Sequence, residues 1–228
     1  MNGVLRVLPW SLILICSVLS TKPLVTAEFD HLAPIDLKQS PNYRRLLASR
    51  LGVTPFNCGR ATLLPAFDPE GSVSVYWVLG SGHKMYRVTF IEVAKNLYQR
   101  TDGARYPARA KAVKDRRLDT EIPERTALVV REVWLRMLRD VKPISLPTNV
   151  VVLDATIAEF SLEMPTGPPL RGELNFSFSY PGKKTKPLVD IWNALYEYCK
   201  ATVEERSAIA NQIERKSIHL LETLRKQE

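Results

Sequence analysis

The chain has 228 residues, 45% of them hydrophobic and 25% charged, with 32 Lys and Arg against 24 Asp and Glu. That composition belongs to an ordinary globular protein and excludes general disorder and low-complexity or collagen-like chains. The formal net charge of +8 favours solubility and attraction to polyanions, but it does not select nucleic acid as a partner.

Residues 1–27 read as a secretory signal. Arg6 is the only charge before Lys22, an apolar run of 13 residues (VLPWSLILICSVL) lies between them, and Val25-Thr26-Ala27 precedes Glu28. A charged start, an apolar run and a small-residue exit are the order of a cleaved export signal. The run is short of the roughly 20 residues that a spanning helix needs. A cut after Ser20 is the alternative to one after Ala27. Ile15, where a small residue would be expected, argues against a lipoprotein at Cys16. Cleavage after Ala27 leaves 201 residues with 30 bases and 24 acids, a charge of +6. The expected location is periplasmic or extracellular, with no transmembrane span in the mature chain. Cys16 leaves with the signal, so Cys58 and Cys199 form an even pair in an oxidising compartment. They are predicted to form a disulfide, worth about 4–5 kcal/mol in the chain-entropy picture.

Residues 28–57, with Pro34, Pro41 and Pro55, read as an extended arm on the domain surface. A short helix over 42–51 is ended by Gly52. Three strands follow. Residues 61–67 form the first, which Pro65 demotes to an edge or a bulge. Asp68-Pro69-Glu70-Gly71 has turn chemistry. Residues 72–79 alternate, with Val73, Val75, Trp77 and Leu79 on one face and Ser72, Ser74 and Tyr76 on the other. After Gly80-Ser81-Gly82, residues 83–94 set Tyr86, Val88 and Phe90 against Arg87 and Thr89.

Residues 100–117 carry seven bases, Arg100, Arg105, Arg109, Lys111, Lys114, Arg116 and Arg117, against Asp102 and Asp115. This +5 segment reads as an exposed loop. Pro123, Glu121 and Glu124 then open a helix. Its apolar stripe is Ala127, Val130, Val133, Trp134, Met137, Leu138 and Val141, and Pro143 and Pro147 end it. Residues 150–162 form a central strand, with a phase slip near Ala158 that suggests a bulge. Residues 173–180 alternate again, with Leu174, Phe176, Phe178 and Tyr180 inward. The tail is helical. Leu188, Ile191, Trp192, Leu195 and Cys199 share one face, and Thr202 with Glu205 is a capping-box pattern. Beyond it the stripe is Ile209, Ile213, Leu220, Leu221 and Leu224. One kinked helix and two helices fit equally well.

The order β-β-β-α-β-β-α predicts an α+β fold: an antiparallel sheet of about five strands covered on one face by helices, with a C-terminal helical extension. The units are the signal at 1–27, the arm at 28–57, the core at 58–200 and the C-terminal helix at 201–228.

Chemistry is sparse. His31, His83 and His219 lack ligand spacing, and no nucleophile elbow, metalloprotease, phosphate-loop or dinucleotide motif occurs. Ser81 and His83 fit a hairpin turn better than a nucleophile and its base. Glu159, Glu163 and Glu173, on two neighbouring strands, read as solvated residues, with a paired acid/base site as the sharper alternative. Asn175-Phe176-Ser177 matches a glycosylation acceptor inside a strand and is treated as chance. Lys183, Lys184 and Lys186 form a second small basic loop. No cofactor is implied.

The leading reading is an exported, non-catalytic binding protein. It engages a protein or an anionic envelope component through Arg105, Arg109, Lys111, Lys114, Arg116 and Arg117. Export and the thin aromatic interleaving of Tyr98 and Tyr106 disfavour nucleic acid. Two alternatives stay open: a secreted or periplasmic hydrolase whose site is assembled from distant residues, and a structural protein that forms a homodimer through its C-terminal helix.

Overall fold

The structure, a computed structural model, describes residues 30–35, 41–52, 57–65, 68–80, 82–94, 115–144, 156–176 and 182–226. The signal segment at 1–27 lies outside the described residues. The described chain runs α1 (Pro41–Leu51), β1 (Asn57–Leu64), β2 (Gly71–Gly80), β3 (His83–Val93), β4 (Asp115–Glu121), α2 (Glu124–Arg139), β5 (Ile157–Leu162), β6 (Leu170–Asn175), α3 (Thr185–Lys200) and α4 (Val203–Arg225). The fold is α+β. Six antiparallel strands, ordered β4-β3-β2-β1-β5-β6, make one open sheet with helices packed against it.

The sixth strand is β4. Its sequence DRRLDTE lacks an apolar alternation because an edge strand buries only a few side chains of one face. Residues 115–117, expected in an exposed loop, therefore belong to the sheet. β1 also departs from expectation. It starts at Asn57, ends before Pro65, and lies between β2 and β5. Pro65 falls just past the ladder, so it removes no hydrogen bond and does not force β1 to an edge. The bulge expected near Ala158 is absent from β5, whose register is continuous with both neighbours. The register shift sits in β1, between Asn57 and Gly59. Gly59 has φ 154°, and a Cβ there would stand 3.0 Å from Cγ of Trp134. The bulge needs glycine both for its backbone and for the indole packed on it.

One sheet face carries the core. Leu118, Phe90, Val73, Ala61, Phe160 and Gly172 occupy one cross-strand row. The buried stripe of α2, from Ala127 to Leu138, packs over β1, β5 and β6, and α3 packs over β3 and β4. Trp134 meets Phe160 edge-on at 5.7 Å between centroids and donates its indole N–H to the Arg60 carbonyl at 3.0 Å. The tail is two helices. Thr202 and Glu205 close the capping box at the start of α4, and α4 lies against both α2 and α3. Its Ile213, Leu220, Leu221 and Leu224 join the core, and Ile209 of the same stripe is partly buried against it.

The opposite face is polar across all six strands: Asp119, Thr89, Ser74, Arg60, Ser161 and Arg171 form one row. Its centre is nevertheless buried. Buried hydroxyls need partners, and Arg60 Nε donates to Ser72 Oγ at 3.0 Å while Thr89 Oγ1 donates to Asp119 at 3.1 Å. At one end α1 covers this face with Tyr43, Leu47 and Leu51 beside Val93.

The arm is pinned rather than laid on the surface. Leu32 is fully buried in the core, and Ala33 exchanges two backbone hydrogen bonds with Glu173, at 2.8 and 2.7 Å, on the outer edge of β6. Among the described residues no helix is long and apolar enough to cross a membrane.

Candidate functional site

The β2–β3 hairpin outruns its neighbours. β1 pairs with β2 only as far as Tyr76, and β4 pairs with β3 only from Arg87. Among the described residues the remaining segments, 77–80 and 83–86, form a two-stranded extension. The helical layer covers only its base, where Tyr86 is buried. Along one face of β2, Val75 is 0% exposed, Trp77 is half-buried and Leu79 is 74% exposed.

The result is a cleft of about 850 Å³ at this end of the sheet. The hairpin contributes Trp77, Lys84 and Tyr86, and the start of β1 contributes Asn57 and Cys58. The segment after β5 contributes Glu163, Met164 and Pro165, and α2 contributes Leu128 and Arg131. Asn57 Oδ1 accepts the Glu163 backbone N–H at 3.0 Å and ties two of these walls together. Leu128 stands off the buried stripe of α2 and is 44% exposed.

Two cations lie among these apolar walls. Lys84 Nζ is 4.9 Å from the centroid of the Trp77 ring, a cation–π distance. Neither Lys84 nor Arg131 forms an ion pair among the described residues. Burial pushes the Cys58 thiol up to about 11 against the opposing fields of Arg131 and Lys84, so it stays protonated at neutral pH and is a poor nucleophile. Burial and then Glu124, which also accepts the hydroxyl's hydrogen bond, raise Tyr86. Among the described residues no histidine lines the cleft. The arrangement can hold an apolar body and an anionic group.

A second, smaller cavity of about 180 Å³ lies on the polar face. Arg60, Thr62, Glu159, Ser161, Glu163 and Arg171 line it, beside Leu47 and Ala48 of α1. Burial lowers the Arg60 guanidinium below its ordinary value, and Glu159 opposes the shift. The continuous register of β5 puts Glu159 and Ser161 on this face, and Glu163 follows them into the cavity. Glu173 stands directly opposite Glu159 on β6.

The predicted disulfide is not formed: Cys58 and Cys199 are both free and buried. Cys58 lies on β1, whereas Cys199 Sγ, on α3, donates to the Val88 carbonyl of β3 at 3.9 Å. Strand β2 runs between their two positions, and a disulfide requires Cα atoms within about 7 Å. Of the basic residues singled out, Arg116 and Arg117 are exposed on β4, opposite Glu92 and Ile91. Arg105, Arg109, Lys111 and Lys114 lie outside the described residues. In the second basic loop Lys184 is half-buried, and its ammonium sits 3.7 Å from Asp140. His31, His83 and His219 stand on the arm, the hairpin and α4, and the described residues contain no cluster able to hold a metal ion.

The cleft escapes a sequence reading because its walls come from four separate segments. Two signals point to it: the apolar alternation of β2 continues to Leu79, past the length that core packing needs, and Leu128 falls outside its helix's stripe. No family model, curated protein or solved structure matches the chain.

Proposed function

We propose that this is an exported, non-catalytic binding protein that takes an anionic envelope component at the open end of its sheet. The observation that carries the reading is the cleft, with aromatic and aliphatic walls and two cations, Lys84 and Arg131, that no carboxylate of the described residues pairs. Arg131 is half-buried, and a half-buried cation left unpaired is costly until a ligand supplies the counter-charge, while the exposed Lys84 adds attraction at the mouth. The export signal at 1–27 and the +6 mature charge support the same reading. Arg116 and Arg117, exposed on β4, add a second basic surface for long-range attraction, and Lys114, Lys111, Arg109 and Arg105 precede them in sequence.

Co-sedimentation of the mature chain with phosphatidylglycerol-containing and pure phosphatidylcholine vesicles tests it over a range of salt. The expected result is salt-sensitive preference for the anionic vesicles, weakened about ten-fold in the Lys84→Gln/Arg131→Gln variant. No preference for anionic vesicles would overturn the reading, as would a preference that this double variant leaves intact.

A second reading, a hydrolase, is favoured by one observation: Glu159 and Glu163 line a single polar cavity with two arginines. Paired carboxylates are the machinery of glycoside cleavage. Turnover of chromogenic glycosides that Glu163→Gln abolishes would support it, and absence of turnover in the native chain would remove it.

A further inference from the structure

We infer that the ligand of the cleft is a single-chain anionic amphiphile, an apolar chain ending in one carboxylate or phosphate group. This rests on the reading of the cleft as the binding site and deepens it. The volume, about 850 Å³, falls within the roughly 300–1,000 Å³ of small-molecule sites.

The walls specify the chain. Trp77 and Tyr86 are a directly opposed cross-strand pair on the hairpin, Leu128 faces them from α2, and Met164 extends the surface. Leu79, on the same face of β2 as Trp77, stands exposed beyond them. Burying such contiguous apolar surface is favourable in proportion to its area, and an acyl chain buries it without bringing polar groups along. A peptide would bring amides that need partners when desolvated. The lining side chains supply few: Asn57 Oδ1 is already engaged by the Glu163 backbone.

The charges specify the head group. Lys84 and Arg131 against Glu163 leave the lining at +1, the complement of one negative charge. Arginine presents a planar fork suited to carboxylate or phosphate oxygens, and lysine adds a mobile point charge.

The test uses the mature chain with laurate, dodecanol and acetate, read by calorimetry and tryptophan fluorescence. Laurate is expected to bind and acetate not to bind, and dodecanol is expected to bind about ten-fold more weakly than laurate because it lacks the charge. Lys84→Gln/Arg131→Gln brings laurate down to the level of dodecanol, and Leu128→Asp, at an exposed position that tolerates charge in the free fold, abolishes both. Equal affinity for laurate and dodecanol, or unchanged laurate affinity in the double variant, overturns the inference. Absence of laurate binding while anionic vesicles still bind through Lys84 and Arg131 overturns this ligand class alone. Absence of both overturns the cleft as the site. Binding of acidic peptides in place of laurate, lost in the double variant, likewise overturns the amphiphile.

Discussion

The carboxylate of Asp30 accepts the backbone N–H groups of Lys184 and Thr185 at 2.9 and 3.0 Å and the Thr185 hydroxyl at 3.2 Å. These amides open α3, where helical amides have no partner of their own and the dipole favours a negative charge. One residue of the arm thus caps a core helix across 154 positions of sequence. Asp30→Ala is expected to cost about 1–2 kcal/mol, the range for loss of a cap, read as a lowered urea midpoint with unchanged slope. The two thiols set a different sensitivity. Burial raises Cys58 to about 11 and Cys199 to about 12, above an unfolded value near 9, so the folded state holds its protons where the unfolded state releases them. Their contribution is complete below pH about 9 and is lost as pH rises toward the folded values, by about 1 kcal/mol per thiol at pH 10. Tyr86 and Tyr198, both raised chiefly by burial, act in the same direction at higher pH. Urea midpoints at pH 8 and pH 10 should show the loss, and Cys199→Ala should flatten it. Thiol labelling at pH 8 should find neither Cys58 nor Cys199 in the native chain and both of these after denaturation without reductant. Burial is also how the two thiols stay unpaired and unreactive: reactivity requires access and thiolate.

At the scale of elements, the hairpin extension follows from unequal strand lengths. β2 and β3 have 10 and 11 residues, whereas β1 and β4 have 8 and 7. Isolated two-stranded ribbons are marginally stable. Amides of residues 78–80 and 83–85 should therefore exchange with solvent faster than those of 73–75 and 88–90 in the free chain, and slow down when laurate binds. Uniform protection along β2 and β3 would show the hairpin to be fixed without ligand. Much of this layer is legible in sequence. The alternation of β2 and β3, the α2 stripe, Gly52 after α1 and the Thr202–Glu205 box each state a local rule that tertiary structure keeps. What fails fails for non-local reasons. β4 hides because only Leu118 and Thr120 turn toward the core, too little for a periodic signal. Pro65 misleads because a proline is harmless one residue past a ladder. Cysteine parity carries no information about which strand lies between two thiols, and the site is invisible because Lys84 and Arg131 meet only when a hairpin and a helix are packed side by side.

For the whole molecule, the issue is whether α4 is an appendage or part of the core. Its apolar stripe was open to two readings, packing on its own sheet layer or pairing with a second copy. In the fold it lies against α2 and α3, and Arg125 and Thr126 of α2 both reach Glu214, at 3.1 and 2.6 Å. Ile213, Leu220, Leu221 and Leu224 are all buried. Each such side chain is worth about 1.5–3 kcal/mol of burial, so four together rival the roughly 5–15 kcal/mol that hold a whole domain. Removing α4 would also bare the outer flanks of α2 and α3. A chain ending at Ala201 is therefore expected to lose its near-UV circular dichroism and to aggregate, whereas Ile218→Asp, at a position that remains 40% exposed, should leave fold and mass in solution unchanged. A folded, monomeric truncation product would show the opposite: α4 would then be an appendage, and its stripe would again be available to a second copy of the chain.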